Sequence, residues 1–294
     1  MSCEFILSAQ SLGELSLDRD NGYIVRPGVS KRQASWRSVA RDRPGANGEI
    51  NTTRLRGRTS ITLSLLMTAE HGDTFQQRLD TLRRYTRPGI GATLSARWSD
   101  GDEPRVAELT EVVADGSAER PTHEPIVFQA VIPSGVWLGD VRHMKVITPG
   151  VVETGGVEFD GVEFDGVEFP LVEPPGVEPV NNRGTTDAVP LLRAFGPFGL
   201  EGNPGDHTTF ANLTTGKELV IEGTGIVAGD YLELDFKART IRVNGLSTQS
   251  RRDRLAFPDS EWWTLVPGVN EIAFRPDTFS GNCQLHIFWS DTYA

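Results

Sequence analysis

Cysteine is nearly absent: two in 294 residues, Cys3 and Cys283, near opposite ends of the chain. So few thiols exclude a disulfide framework, and a single bridge would need the two ends to meet. Cysteine spacing of the zinc-binding kind is missing as well. Two free thiols suit a protein made in a reducing cytoplasm. Long apolar runs are also lacking. The longest, such as Ile61–Met67, fall far short of a bilayer span, so no membrane insertion is expected. The opening MSCEFILSAQSLGELSLD has no basic start and no extended apolar block, so no secretory signal is expected. Histidine is sparse and scattered, at His71, His123, His143, His207 and His286. No serine elbow, paired-histidine metal motif or Cys–His arrangement stands out. The Gly-rich GLEGNPGD does not lead from a strand into a helix, so it is no phosphate loop. The expectation is a protein with no catalytic, cofactor or metal residues.

Positive charge is missing from one half. Residues 1–150 carry 19 Lys/Arg and 18 Asp/Glu, a net of +1, whereas residues 151–294 carry 10 and 22, a net of −12. An acidic second half repels phosphate and argues against a nucleic-acid surface there. The basic clusters Arg54-Arg56-Arg58 and Arg83-Arg84-Arg87 read as solvated faces or subunit contacts. The acids Asp100, Asp102 and Glu103 lack calcium-loop spacing, and no downstream Glu completes a site.

What is present is mostly β pattern. The first half reads as strands at Phe5–Leu7, Gly13–Leu17 and Ile24–Val25, then a long polar loop over 40–49, ARDRPGANGE. Ile61, Leu63 and Leu65 then alternate with Thr62, Ser64 and Leu66, which predicts a strand. One helix is predicted. Asp73 and Gln76 form a capping box, Phe75, Leu79, Leu82 and Tyr85 or Thr86 share a face, and Pro88 stops it. Strands follow at Ala92–Trp98, Arg105–Val113 and His123–Ile132, with a turn over Ser99–Pro104.

From Arg183 onward short alternating runs recur between Gly-, Asn-, Asp- and Pro-rich turns. They lie at Val189–Phe195, Thr208–Leu213, Glu218–Glu222, Tyr231–Asp235, Thr240–Val243, Trp263–Leu265, Glu271–Phe274 and Gln284–Trp289. That density predicts a β-sandwich. Asn244-Gly245 after Thr240–Val243 is a hairpin signal.

Between the halves stands GVEFDGVEFDGVEFP, Gly156 to Pro170. A pentapeptide solenoid needs more copies to stack, because one unit cannot bury its own face. A flat strand fails differently: an odd period flips the face at each copy. The remaining reading is an extended acidic connector, since residues 150–180 hold eight acids and no Lys or Arg and end in PLVEPPGVEP. Its Phe159, Phe164 and Phe169 then need a surface to pack on, because exposed rings at this spacing invite aggregation. The expected division is 1–148, 149–182 and 183–294.

The order of the turns and strands resembles a family. The runs DYLELDFKARTIRVNG, FPDSEWWTLVPGVNEIAF and CQLHIFWSDTYA are similar to the C-terminal domain of the distal tail proteins, a class of minor tail protein, of long-tailed (siphovirus-type) bacteriophages. Gly229-Asp230, Asp235, Arg239, Asn244-Gly245, Trp263, Leu265, Pro267-Gly268, Asn270, Ile272 and Phe274 stand in the family's order. The stretch WRSVARDRPGANGEINTTRLRGRTSITLSLLM with the following helix and strand resembles the family's N-terminal domain. Phages of actinobacteria look closest. The resemblance implies a mainly β protein: an N-terminal split-barrel, or belt, domain with one helix, then a galectin-like β-sandwich. It implies a structural virion protein of the tail tip or baseplate, assembled in the host bacterial cytoplasm, and not an enzyme. Its partners would be five further copies of itself in a hexameric ring, the major tail tube protein, the tail-tip hub, and the tape measure protein and genome in the bore. Asn244, Gly245, Trp263, Pro267, Gly268 and Asn270 would be scaffold. The alternative is a carbohydrate-binding module for a host surface glycan. There, Trp262 would stack on sugar, because adjacent Trp262 and Trp263 in a strand face opposite ways.

Overall fold

The computed structural model describes residues 3–26, 30–31, 36–42, 49–68, 75–87, 89–98, 104–115, 123–149, 176–258 and 260–294. Within them the chain divides into two compact units, 1–141 with 292–294, and 142–291. The mainly β expectation is borne out, with one α-helix among the described residues.

The first unit begins with β1 (Cys3–Ala9), β2 (Gly13–Ser16), β3 (Tyr23–Val25), β4 (Ser30–Lys31), β5 (Trp36–Asp42), β6 (Glu49–Arg56) and β7 (Thr59–Thr68). Helix α1 (Phe75–Tyr85) follows, then β8 (Thr93–Trp98), β9 (Arg105–Glu108), β10 (Thr110–Asp115), β11 (His123–Ile132) and the start of β12 (Trp137–Ile147). One sheet runs β12-β9-β8-β1-β2 and a second runs β10-β11-β7-β3, with β4 also on β7. The alternation read in β7 is present: Ile61, Leu63 and Leu65 are buried with Met67. They meet Phe5 and Leu7 of β1, Leu94 of β8, and Ile126 and Phe128 of β11 in one core. Helix α1 covers that core with the predicted stripe, Phe75, Leu79, Leu82 and Tyr85, all buried. Asp73 of the capping box lies outside the described residues, and the Gln76 amide donates forward to Asp80 Oδ1 at 3.0 Å.

Two expectations for this unit are corrected. The loop over 40–49 is shorter, because β5 and β6 form a hairpin paired from Trp36↔Arg56 to Asp42↔Glu49. The strand expected over Arg105–Val113 is two strands in two sheets. β9 pairs with β8 and β12, whereas β10 pairs with β11. The chain crosses at Leu109, whose N–H donates to Ala92 O at 2.9 Å and whose side chain is buried. Just beyond, Glu111 takes a left-handed φ of 52° beside a register shift in the β10–β11 ladder. A strand that changes sheets needs such an irregularity to turn the corner. The turn over Ser99–Pro104, with Asp100, Asp102 and Glu103, lies almost wholly outside the described residues.

The second unit takes the rest of β12, then β13 (Val177–Asn182), β14 (Leu191–Phe195), β15 (His207–Asn212), β16 (Lys217–Glu222), β17 (Tyr231–Asp235), β18 (Thr240–Val243), β19 (Gly268–Pro276) and β20 (Gln284–Tyr293), whose last residues belong to the first unit. A single 3₁₀ turn spans Arg252–Arg254. One sheet is ordered β18-β17-β14-β20 and the other β13-β19-β15-β16, antiparallel throughout. Side chains from both sheets share one core: Leu192, Leu232, Leu234 and Ile287 from the first, Phe210, Ile221, Ile272 and Phe274 from the second. That is a β-sandwich. Its strands follow the sequence reading with two exceptions. Val177–Asn182, read as the end of the connector, is a strand paired with β19. Trp263–Leu265, read as a strand, contributes a lone bridge, Leu265 to Ala188.

Candidate functional site

The sequence motifs of the second unit converge on the segment Trp262–Gly268. It has little ladder pairing of its own, so side chains supply its hydrogen bonds. Three asparagines with no exposed surface do this. The Asn270 carboxamide acts like a strand neighbour: its Oδ1 accepts from Val266 N–H at 2.9 Å, and its Nδ2 donates to Val266 O at 2.8 Å and Gly268 O at 3.0 Å. Asn212 Nδ2 donates to Thr264 O at 3.0 Å and to Asn270 Oδ1 at 3.2 Å. Asn182 Nδ2 donates to Leu265 O at 3.0 Å and Thr186 O at 2.9 Å. Each of the latter two also accepts a nearby backbone N–H on its own oxygen, so both ends of each amide are used. Pro267 is exposed, and Gly268 takes φ 95°, a turn that a side chain would strain. Trp263 is buried, with its indole N–H donating to Phe210 O at 3.0 Å.

Asn244 and Gly245 sit elsewhere, at the end of β18. Both have positive φ, 51° and 70°, which Asn and Gly tolerate best. The turn is present as read. Asn244 also ties back to the start of β17: its N–H donates to Tyr231 O at 2.8 Å, its Oδ1 accepts from Tyr231 N–H at 3.0 Å, and its Nδ2 donates to Asp230 Oδ1 at 2.8 Å. The G-D and N-G motifs are therefore two halves of one contact.

Trp262 is half-buried, edge-on to Phe236 at 5.0 Å, while Trp263 meets the same ring at 4.6 Å. Phe159, Phe164 and Phe169 lie outside the described residues. Sequence reasoning missed Asn182 and Asn212, which look like ordinary strand-end asparagines until the chain folds. It also missed the outward row of the β17-β14-β20 sheet. There the Arg193 Nε–Glu233 Oε2 pair, at 2.9 Å, lies among Phe195, Tyr231, His286 and Phe288. The R-x-F, Y-x-E and H-x-F alternation on these strands was its signal.

His143 and Asp291 are also close, Nε2 to Oδ2 at 3.1 Å, and the other oxygen of this buried carboxylate accepts Arg183 N–H at 2.9 Å. Trp289, 5.3 Å from the His143 ring, donates its indole N–H to Asn181 O. Among the described residues no group of three or more His, Cys, Asp or Glu is placed to hold a metal. No described helix is long and apolar enough to cross a membrane.

Asn244, Trp263 and Asn270 all spend their polar atoms on this chain's own backbone and side chains within the β-sandwich. Residues 200–293 match the family model of the siphovirus-type tail component, C-terminal domain. Across 99% of both chains, at 12% identity and a TM-score of 0.59, the fold is similar to that of SPP1 Dit (gp 19.1), described as a paradigm of the hub adsorption apparatus in phages infecting Gram-positive bacteria. A chain of the phage P2 baseplate in its activated, calcium-bound conformation is matched at 10% identity and a TM-score of 0.44, over 100% of this chain and 99% of that one. No curated protein matches the chain. The resemblance to distal tail proteins of siphoviruses is borne out: residues 200–293 match that tail-component domain, and the fold is similar to that of SPP1 Dit.

Proposed function

We propose that this protein is a structural component of a phage tail tip, in which six copies close a ring that joins the tail tube to the tail-tip hub. The observation that carries this is the tail-component match over 200–293 combined with a Dit fold over nearly the whole chain. In this reading the first unit makes the ring through one repeated head-to-tail interface. The tape measure protein and then the genome pass through the bore, where a lining that does not grip phosphate is an advantage. The role is mechanical, and the asparagine-bonded segment of the sandwich is scaffold. Assembly takes place in the host cytoplasm, and the finished protein resides in the virion. The carbohydrate alternative gains nothing from Trp262, whose ring is half-buried against Phe236. Antibody-gold labelling of intact virions tests the proposal. Label at the distal end of the tail is expected, and label confined to the capsid or absent from virions would overturn it.

A further inference from the structure

One end of the sandwich carries an apolar groove, a cavity of about 490 Å³ walled by Pro197, Phe198, Leu200, Ile226, Val227 and Phe279. Paired backbones hold its walls. Phe198 and Ile226 exchange both hydrogen bonds, at 3.0 and 2.9 Å, and Gly199 N–H donates to Thr278 O at 2.7 Å. Its one charged lining residue, Glu201, is engaged by Arg251 of the same chain at 3.4 Å. The slot therefore suits an uncharged apolar group, and it exists before anything enters it, which lowers the cost of binding. The same unit also carries a knob. The Phe257 ring is 93% exposed, more than any other large hydrophobic side chain among the described residues, and Val227 of the groove comes second at 65%. Val220 grips the chain on both sides of Phe257. Ala256 N–H donates to Val220 O at 2.9 Å, and the Ser260 hydroxyl donates to that oxygen at 3.0 Å while accepting Val220 N–H at 2.9 Å. Leu255, two residues before the ring, bridges to Ile221 and packs on the core. Single exposed apolar side chains are ordinary, but a ring presented on a pinned backbone is placed for contact.

We infer that this groove is the seat of Phe257 from a second copy of the chain. This does not rest on the tail-tip reading. Knob and slot both belong to the second unit, yet Phe257 and Val227 are open to solvent, so a chain does not fill its own groove. One association of two copies covers both of the most exposed apolar side chains, one from each partner. An unrelated partner seated in the groove would leave Phe257 in water, and that self-complementarity selects a second copy. Burying one aromatic side chain removes about 150–250 Å² from solvent. That is far below the roughly 1,200 Å² at which stable specific interfaces begin. The contact is therefore weak between free chains. It fills where another interface already holds copies side by side, at roughly millimolar effective concentration. Knob and slot are different patches, so the contact can repeat from copy to copy, as a closed ring requires.

Methyl NMR on the full chain tests this. A methyl-labelled Phe257→Ala variant supplies a groove without a knob, and unlabelled wild type supplies the ring. The substitution lies at an exposed position and leaves the core intact. Upfield ring-current shifts of the Val227 and Leu200 methyls, growing with added wild type, are expected. Unlabelled Phe257→Ala added in its place is expected to leave both resonances where they are. Absence of any shift at both residues up to millimolar wild type would overturn the inference. So would equal shifts from wild type and from Phe257→Ala, because something other than the Phe257 ring would then be filling the groove.

Discussion

Asn270 satisfies one fully buried carboxamide with two backbone carbonyls, one backbone N–H and the amide of Asn212. Truncating it strands several buried groups at once, and each orphan costs about 1–3 kcal/mol. Asn270→Ala is therefore expected to lower the stability of the second unit by about 3 kcal/mol, read as a drop in the urea midpoint. Leu200→Ala, at an exposed rim position, is expected to change it little. Cys283 gives a second residue-scale prediction. Burial pushes its thiol up to about 12, so almost no thiolate exists at pH 8. In a Cys3→Ser background, a disulfide reagent is expected to label Cys283 only on unfolding, and prompt labelling of the folded chain would contradict its burial. His286 gives a pH dependence. Burial lowers its pKa below the ordinary 6.5, so the unfolded chain takes up the proton more readily. Its contribution is complete above 6.5 and is lost as pH falls below it. The thermal midpoint of His286→Gln is expected to fall less between pH 7 and 5 than that of the wild type. At this scale the P-G-x-N motif was legible because a turn imposes local demands on its residues. The roles of Asn182 and Asn212 were not, because their partners arrive from 83 and 52 residues away along the chain.

At the scale of elements, what could be read depended on how local the cause was. Helix α1 was legible because its stripe repeats at a fixed period over three turns. Strands β17 and β18 were legible to the residue because turns bound them. The split of Arg105–Val113 was hidden, since pairing with two different sheets leaves no mark on the alternation of one short run. The hairpin β5–β6 was hidden by polar composition, which resembles a loop until a partner strand supplies the ladder. Trp263–Leu265 failed in the opposite direction. Its apolar pattern is that of a strand, but its backbone hydrogen bonds are shared between Ala188 and the side chains of Asn182 and Asn212. Close approach of backbones yields a prediction here. A methyl added by Gly225→Ala would lie 2.7 Å from Glu201 N, so the loop beside the groove must shift. The expected cost is about 1–3 kcal/mol by thermal unfolding. Gly205→Ala is the control, because its added Cβ meets only Asn203 Oδ1 at 3.5 Å and stability should hardly change.

For the whole molecule, charge and size set the terms. The acidic character of the second half was plain in composition, and the order of the motifs along the chain pointed to a tail protein. Composition does not encode how many copies associate, since a ring interface depends on shape across two surfaces. Closure into a ring is the property on which the proposed tail-tip role turns. Light scattering on the purified protein, alone and with the tail tube protein that the proposal pairs with it, reads it directly. A mass near six times the 32.2 kDa subunit is the predicted result. A monomeric mass under both conditions, at all concentrations, would contradict it.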